Sequence, residues 1–188
     1  VIWKQLLFFF FPILIGSFFQ QLYNTVDTII VGQTVGTSAL AAVGSTGNLT
    51  NLIINFYVGL STGASVVIAQ YYGAQNNKKI HQAVHTSYSL AIVSGILMML
   101  FGLFFSYQCL DAIGTPHYIL NDATLYMQLY FLCMIPGAIY NIGAGILRAV
   151  GDSKRPLYYL IVCSIVNVEF DFIIVVIFHQ GIAGAAIA

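Results

Sequence analysis

The stretch LLFFFFPILIGSFFQQLYNTVDTIIVGQ, residues 6–33, decides the fold. It runs for 28 residues with one charged side chain, Asp27, and about 20 apolar residues suffice to cross a bilayer. It therefore predicts a membrane-spanning helix, longer than it needs to be and interrupted by Pro12 and Gly16, so that a tilted, kinked span is expected. Further apolar segments follow at about 39–72, 84–108, 123–147 and 157–179, and a sixth begins at 181. The breaks between them are short turns rich in Gly, Asn, Asp and Pro, too short for a soluble domain. The fold class is an all-α integral membrane protein, a bundle of kinked transmembrane helices.

Composition agrees. Of 188 residues, 59% are hydrophobic and 6% charged, where soluble domains carry roughly 45–50% and about 25%. Six basic residues balance six acidic ones, which leaves no basic surface to neutralise a phosphate backbone and excludes nucleic acid as the partner. Cys109, Cys133 and Cys163 lie apart without metal-ligand or disulfide spacing. No paired nucleophile and base is present, so neither an enzyme nor a metal or organic cofactor is expected. No small-residue cleavage site precedes Gln20-Gln21, which argues against a secretory signal peptide. Asn48-Leu49-Thr50 fits a glycosylation sequon but lies inside a span, out of reach of a transferase.

All six basic residues belong to one side: Lys4 before the first span, Lys78 and Lys79 between the second and third, and Arg148, Lys154 and Arg155 between the fourth and fifth. By the positive-inside rule the N-terminus is cytoplasmic and odd spans run outward. Three acids, in contrast, fall within spans: Asp27, Glu169 and Asp171. A carboxylate at mid-bilayer costs roughly 2.5–3.5 kcal/mol even on the mildest scale, so such groups face a bundle interior or a wet cavity. Gln20, Asn24 and Asp27 share one helical stripe, as do Asn167 and Asp171. Asp27 and Asp171 both fall roughly 10 Å below the outer surface by their helical rise. No Lys or Arg shares that depth. Two such carboxylates cannot both stay ionised without a cation, which points to a proton, Na+ or a cationic substrate. A static interhelical hydrogen-bond clamp is the alternative reading of the stripe. Glu169 lies on the opposite side of its helix and reads as a packing residue or a tolerated substitution.

The residues at this point resemble the multidrug and toxic compound extrusion (MATE) transporters. The resemblance is carried by Pro12 with Gln20-Gln21-Leu22-Tyr23-Asn24-Thr25-Val26-Asp27, by Leu40-Ala41-Ala42-Val43-Gly44, and by Gly59-Leu60-Ser61-Thr62-Gly63 through Gln70-Tyr71-Tyr72-Gly73. Leu147-Arg148-Ala149-Val150-Gly151-Asp152-Ser153-Lys154-Arg155-Pro156 and the Gly181 to Ala188 run complete it, five motifs in order along the whole chain. The resemblance implies twelve helices in two six-helix lobes, with residues 1–188 forming most of the N-terminal lobe and the C-terminal lobe as its missing partner. It implies efflux of organic cations and other drugs across the cell inner (plasma) membrane by alternating access, in exchange for H+ or Na+. In the similar DNA-damage-inducible branch, the matching positions make Asp27, Asn167 and Asp171 the cation-coupling site, Gln20 and Asn141 substrate-facing residues beside Asn24, and Pro12 a hinge. The family is usually apolar where this chain has Glu169, and a threonine expected in the sixth helix would fall past Ala188. The rival readings are a lipid-linked polysaccharide exporter or flippase of the wider superfamily, which calls for basic residues inside the membrane, and a non-transporting membrane scaffold.

Overall fold

A computed structural model describes residues 2–34 and 37–177. The order is α1 (Ile2–Thr34), α2 (Thr37–Gly73), α3 (Asn77–Ala112), α4 (His117–Leu132), α5 (Met134–Ala149) and α6 (Lys154–Asp171), followed by a π-helical segment (Phe172–Ile177). The described residues contain helices and turns without a strand. Helices α1, α2, α3 and α6 with its π continuation are each long and apolar enough to cross a membrane, and α4 and α5 meet the same test when taken together as a bent pair. The sixth expected span, and the last two residues of the fifth, lie outside the described residues.

Three features depart from the expected spans. The fourth is two helices meeting at 51° around Cys133 rather than one continuous segment over 123–147; the second of them carries Pro136. The proline is the third residue of α5, and its missing N–H and bulky ring disrupt the bond to the carbonyl four residues earlier, at Leu132, so the chain breaks one turn before the proline. The fifth span changes from α to π hydrogen bonding at Phe172, directly after Asp171. Third, α3 starts at Asn77 and α6 at Lys154, ahead of the expected 84 and 157. Hydropathy marks the part of a helix inside hydrocarbon, whereas capping marks where it starts. The Asn76 side chain accepts from the Lys79 N–H at 3.2 Å, and the Asp152 Oδ1 accepts from the N–H groups of Lys154 and Arg155 at 3.1 Å. Asp152 also pairs with the Arg155 guanidinium at 3.1 Å. Gly114 and Gly151 close α3 and α5 in the left-handed conformation, φ +84° and +88°. At both ends the N–H groups turn back onto the last carbonyls, Thr115 to Leu110 and Asp152 to Leu147.

Helices α2 to α5 form one group. Its core holds Tyr57 and Ile53 of α2, Ala91 and Leu110 of α3, Met127 and Phe131 of α4, and Ala138 and Ile142 of α5. Small residues allow the close approaches. A Cβ on Gly102 would overlap the Phe131 side chain down to its own Cβ. One on Gly145 would overlap the Ser61 hydroxyl and come within 2.7 Å of the Ser65 Oγ. The Ser61 hydroxyl donates to the Asn141 carbonyl at 2.6 Å, tying α2 to α5. Helix α1 stands apart from this group and packs on α6. Among its described side chains Gly16 alone is buried, where a Cβ would lie 3.5 Å from Leu160 and 3.6 Å from Leu157.

These spacings separate tolerant from intolerant positions. In the full-length protein, Gly102→Ala and Gly145→Ala are each expected to lower unfolding stability by about 1–3 kcal/mol through overpacking. Gly16→Ala, which meets ordinary van der Waals neighbours, is expected to change it by less than about 0.5 kcal/mol. Denaturant titration in detergent, followed by far-UV circular dichroism, measures all three.

Candidate functional site

The site is built on two parallel helices. Gly16 of α1 faces Leu157 and Leu160 of α6, and further along Phe19 and Leu22 of α1 lie with Ile161, Ile165 and Val168 of α6 around one groove. Advancing along α1 thus advances along α6, as expected for two spans crossing in the same direction. Asp27 is 11 residues beyond Gly16 and Asp171 is 11 residues beyond Leu160. At 1.5 Å rise per residue both backbones lie about 16 Å further along, level with one another. For Asp27 and Asp171 the structure describes the helical backbone alone. Their nearest basic residues in sequence are far off: Arg155 precedes Asp171 by 16 residues, about 24 Å along the helix, and Lys4 precedes Asp27 by 23, about 35 Å.

Asn167, one turn before Asp171, is half-buried. Its Oδ1 is buried and meets no hydrogen-bond donor among the described residues. An amide oxygen without a donor in such a place costs about 1–3 kcal/mol, and it presents a hard neutral oxygen of the kind that coordinates a proton donor or an alkali cation. The π segment that begins at Phe172 reaches hydrogen bonds one residue further along, so the regular α repeat ends at Asp171.

Gln20 and Asn24 are exposed along α1. The hydroxyls beside them are spent within the helix, Thr25 on the Gln21 carbonyl at 2.8 Å and Thr28 on that of Asn24 at 2.7 Å, which leaves the amides as the polar groups presented. Asn141 is elsewhere. Its carbonyl takes the Ser61 hydroxyl and its Nδ2 donates to the Gly137 carbonyl at 2.9 Å, so it sits on α5 toward the end that carries the basic residues. Pro12 is half-buried inside α1, which continues as one helix past it.

A second polar stripe escaped the sequence reading. Asn48, Asn51 and Asn55 of α2 follow an i, i+3, i+7 spacing and are all exposed. Helices α1 and α2 meet where a Cβ on Gly32 would touch Leu40 at 3.4 Å, and from there α1 leans to α6 while α2 joins α3, α4 and α5. Asn24 is eight residues from Gly32 and Asn48 eight from Leu40, so the two amides lie at matching depth on either side of the divergence. The signal was present as a helical repeat of asparagine inside an apolar span. It was masked because Asn48 was read only as half of a sequon.

The family model MatE matches residues 12–173. Among curated proteins, the chain is 31% identical over 167 residues to the probable multidrug resistance protein YoeA of Bacillus subtilis, covering 89% of this chain and 36% of that protein. It is 24% identical over 178 residues to the DNA damage-inducible protein F of Escherichia coli, covering 94% and 39%. Among solved structures, a MATE crystal structure in the straight conformation superposes with a TM-score of 0.90 at 28% identity, covering 97% of this chain and 40% of that one. The chain spans about two fifths of the length of the relatives it matches. Helices long and apolar enough to cross a membrane, the paired α1 and α6 and the match over residues 12–173 lead to one conclusion: this chain belongs to the MatE family of multidrug and toxic compound extrusion transporters.

Proposed function

We propose that this chain is the N-terminal lobe of a secondary active multidrug exporter that expels organic cations and other drugs in exchange for H+ or Na+. The observation that carries the reading is the parallel register of α1 and α6, which brings the backbones of Asp27 and Asp171 level in a stretch of membrane where this chain offers no basic residue. In that reading Asp27 and Asp171 hold the coupling cation and Asn167 contributes its donor-free oxygen. Gln20 and Asn24 on one side, with Asn48 and Asn51 on the other, line the substrate cavity, and Asn141 closes it at the deeper end. Pro12, which removes one bond from the α1 ladder, is the point where that helix bends with protonation. A cation and a drug that favour different conformations couple by typically 1–3 kcal/mol, and the coupling is reciprocal, so drug binding lowers cation affinity by roughly 5- to 150-fold. In the same reading the protein sits in the inner membrane with its N-terminus inside, an orientation supported by Lys4, Lys78, Lys79, Arg148, Lys154 and Arg155 all belonging to one side.

Replacing Asp27 with Asn in the complete transporter is expected to reduce energised ethidium efflux to the level of cells without it, while the protein is still made and inserted in normal amount. Undiminished efflux sinks the assignment. Asn51→Leu, which removes a cavity amide and leaves the cation site, is expected to slow ethidium efflux several-fold and to leave Na+- or H+-dependent protection of the protein against proteolysis unchanged. For orientation, a membrane-impermeant maleimide is expected to label Lys78→Cys only after the cytoplasm is opened and His117→Cys in intact cells. The opposite pattern reverses the topology.

A further inference from the structure

Gly59 and Gly63 of α2 are a small-xxx-small pair, the pattern that elsewhere lets membrane helices approach closely. Here nothing approaches them. A Cβ on either would meet no atom within 4 Å, whereas one on Gly102 or Gly145 would overlap a neighbour. Both glycines line a recess of about 540 Å³ between α2 and α3, which run back along one another from the turn at residues 74–76. At the turn end stand Tyr71 and Lys79, with the Lys79 Nζ 5.4 Å from the centre of the Tyr71 ring. Away from the turn the lining is Gly59, Gly63, Val67 and Leu90. Leu90 is 11 residues beyond Lys79, about 16 Å, and Gly59 is 12 residues from Tyr71, about 18 Å. That is close to the depth of one leaflet, half of a hydrocarbon core of about 30 Å. Thr86 and Ser87 line the recess too, but their hydroxyls donate within α3, to the Gln82 and Ala83 carbonyls at 2.8 and 2.7 Å. The polar side chains left to a ligand are the exposed Lys79 ammonium and the exposed Gln82 amide. No acid lines the recess, and the ion pair found among the described residues is Arg155 with Asp152, not Lys79.

We propose that this recess holds one phospholipid with a net-anionic headgroup, drawn from the leaflet beside the basic turns. A basic pocket between membrane helices at a leaflet surface selects anionic headgroups. The lipid phosphate takes the Lys79 ammonium and the Gln82 amide, while the Tyr71 ring holds the ammonium at the mouth without supplying an acceptor oxygen. One acyl chain lies along Gly59, Gly63 and Val67, in the room that the missing side chains leave. A zwitterionic lipid brings its own ammonium, which finds no carboxylate in the recess to pair with. A free phosphate meets the same two polar groups but leaves the apolar end empty. The site stands on α2 and α3, whereas Asp27 and Asp171 stand on α1 and α6, so it does not depend on which ion or drug the transporter carries.

The test titrates the full-length protein in detergent with phosphatidylglycerol or phosphatidylcholine and counts bound lipids by native mass spectrometry. The first phosphatidylglycerol is expected to bind roughly fivefold more tightly than phosphatidylcholine, about the worth of one lysine at an anionic surface. Lys79→Gln is expected to abolish that preference. Lys78→Gln, the same change of charge on a residue outside the recess, is expected to leave it within about twofold. Gly63→Leu and Val67→Trp fill the recess and keep the lysine, and both are expected to weaken phosphatidylglycerol several-fold. A preference that survives Lys79→Gln, or that falls equally in Lys78→Gln, overturns the proposal, and so does unchanged affinity in both filling variants. Displacement of the lipid by inorganic phosphate overturns it in favour of a free anion. Failure of a lipid-soluble maleimide to modify Gly63→Cys in the folded full-length protein overturns it as well, because another part of the chain then covers the recess.

Discussion

At Gly16 the first helix lies against α6, with Leu160 and Leu157 at 3.5 and 3.6 Å from where a Cβ would stand. No other described residue of α1 is buried, so this contact marks the register in which α1 lies against α6. Once that register is set, helical rise carries it along both chains: 11 residues further, the backbones of Asp27 and Asp171 arrive at one depth. A slip of one residue would shift that alignment by about 1.5 Å, and a slip of one turn by about 5.4 Å. The level placing of the two backbones thus follows from the register marked at Gly16.

The rest of the chain is packed on other terms. Helices α2 to α5 interdigitate through glycines that admit no side chain, Gly102 against Phe131 and Gly145 against Ser61 and Ser65. Hydrogen bonds cross the same interfaces, from Ser61 to the Asn141 carbonyl and from the Gln128 amide to the Leu103 carbonyl at 3.1 Å. In a membrane, where burial of apolar surface does little to hold helices together, close packing and such bonds are what associate them. The α1–α6 pair packs on itself and meets the larger group mainly near Gly32 and Leu40 and through the short turn at Gly151. Motion between the two parts therefore costs less than motion within the larger one, and the amides of Gln20, Asn24, Asn48 and Asn51 border the seam where it would occur.

Much of this was legible in the residues, and what was not has definite physical reasons. Span number and the clustering of basic residues follow from hydropathy and charge, which are sums over many side chains and survive local errors. Local events were harder. The break at Cys133 is displaced from Pro136 because a proline disturbs the carbonyl four residues before it, and the π segment after Asp171 leaves no mark in composition. The levels of Asp27 and Asp171 could be read from helical rise alone, but that their helices are neighbours needed the contact at Gly16, which hydropathy does not encode. The asparagine stripe on α2 has a helical repeat as clear as that of Gln20 and Asn24, but the sequon reading of Asn48 hid it.

Asp171 and Glu169 show why charge within a span must be read with its direction. They are two residues apart on one helix and differ by a single methylene, yet 200° of rotation sets their positions on different faces of it. Asn167, one turn before Asp171, offers a buried oxygen that meets no donor among the described residues, and such an oxygen can take the place of water around a small ion. Glu169 is exposed, and its neighbours toward α1 are Phe19, Leu22, Ile165 and Val168, which offer no such oxygen. Depth alone therefore does not rank the acids of a span: the face of the helix on which each stands decides which neighbours it has.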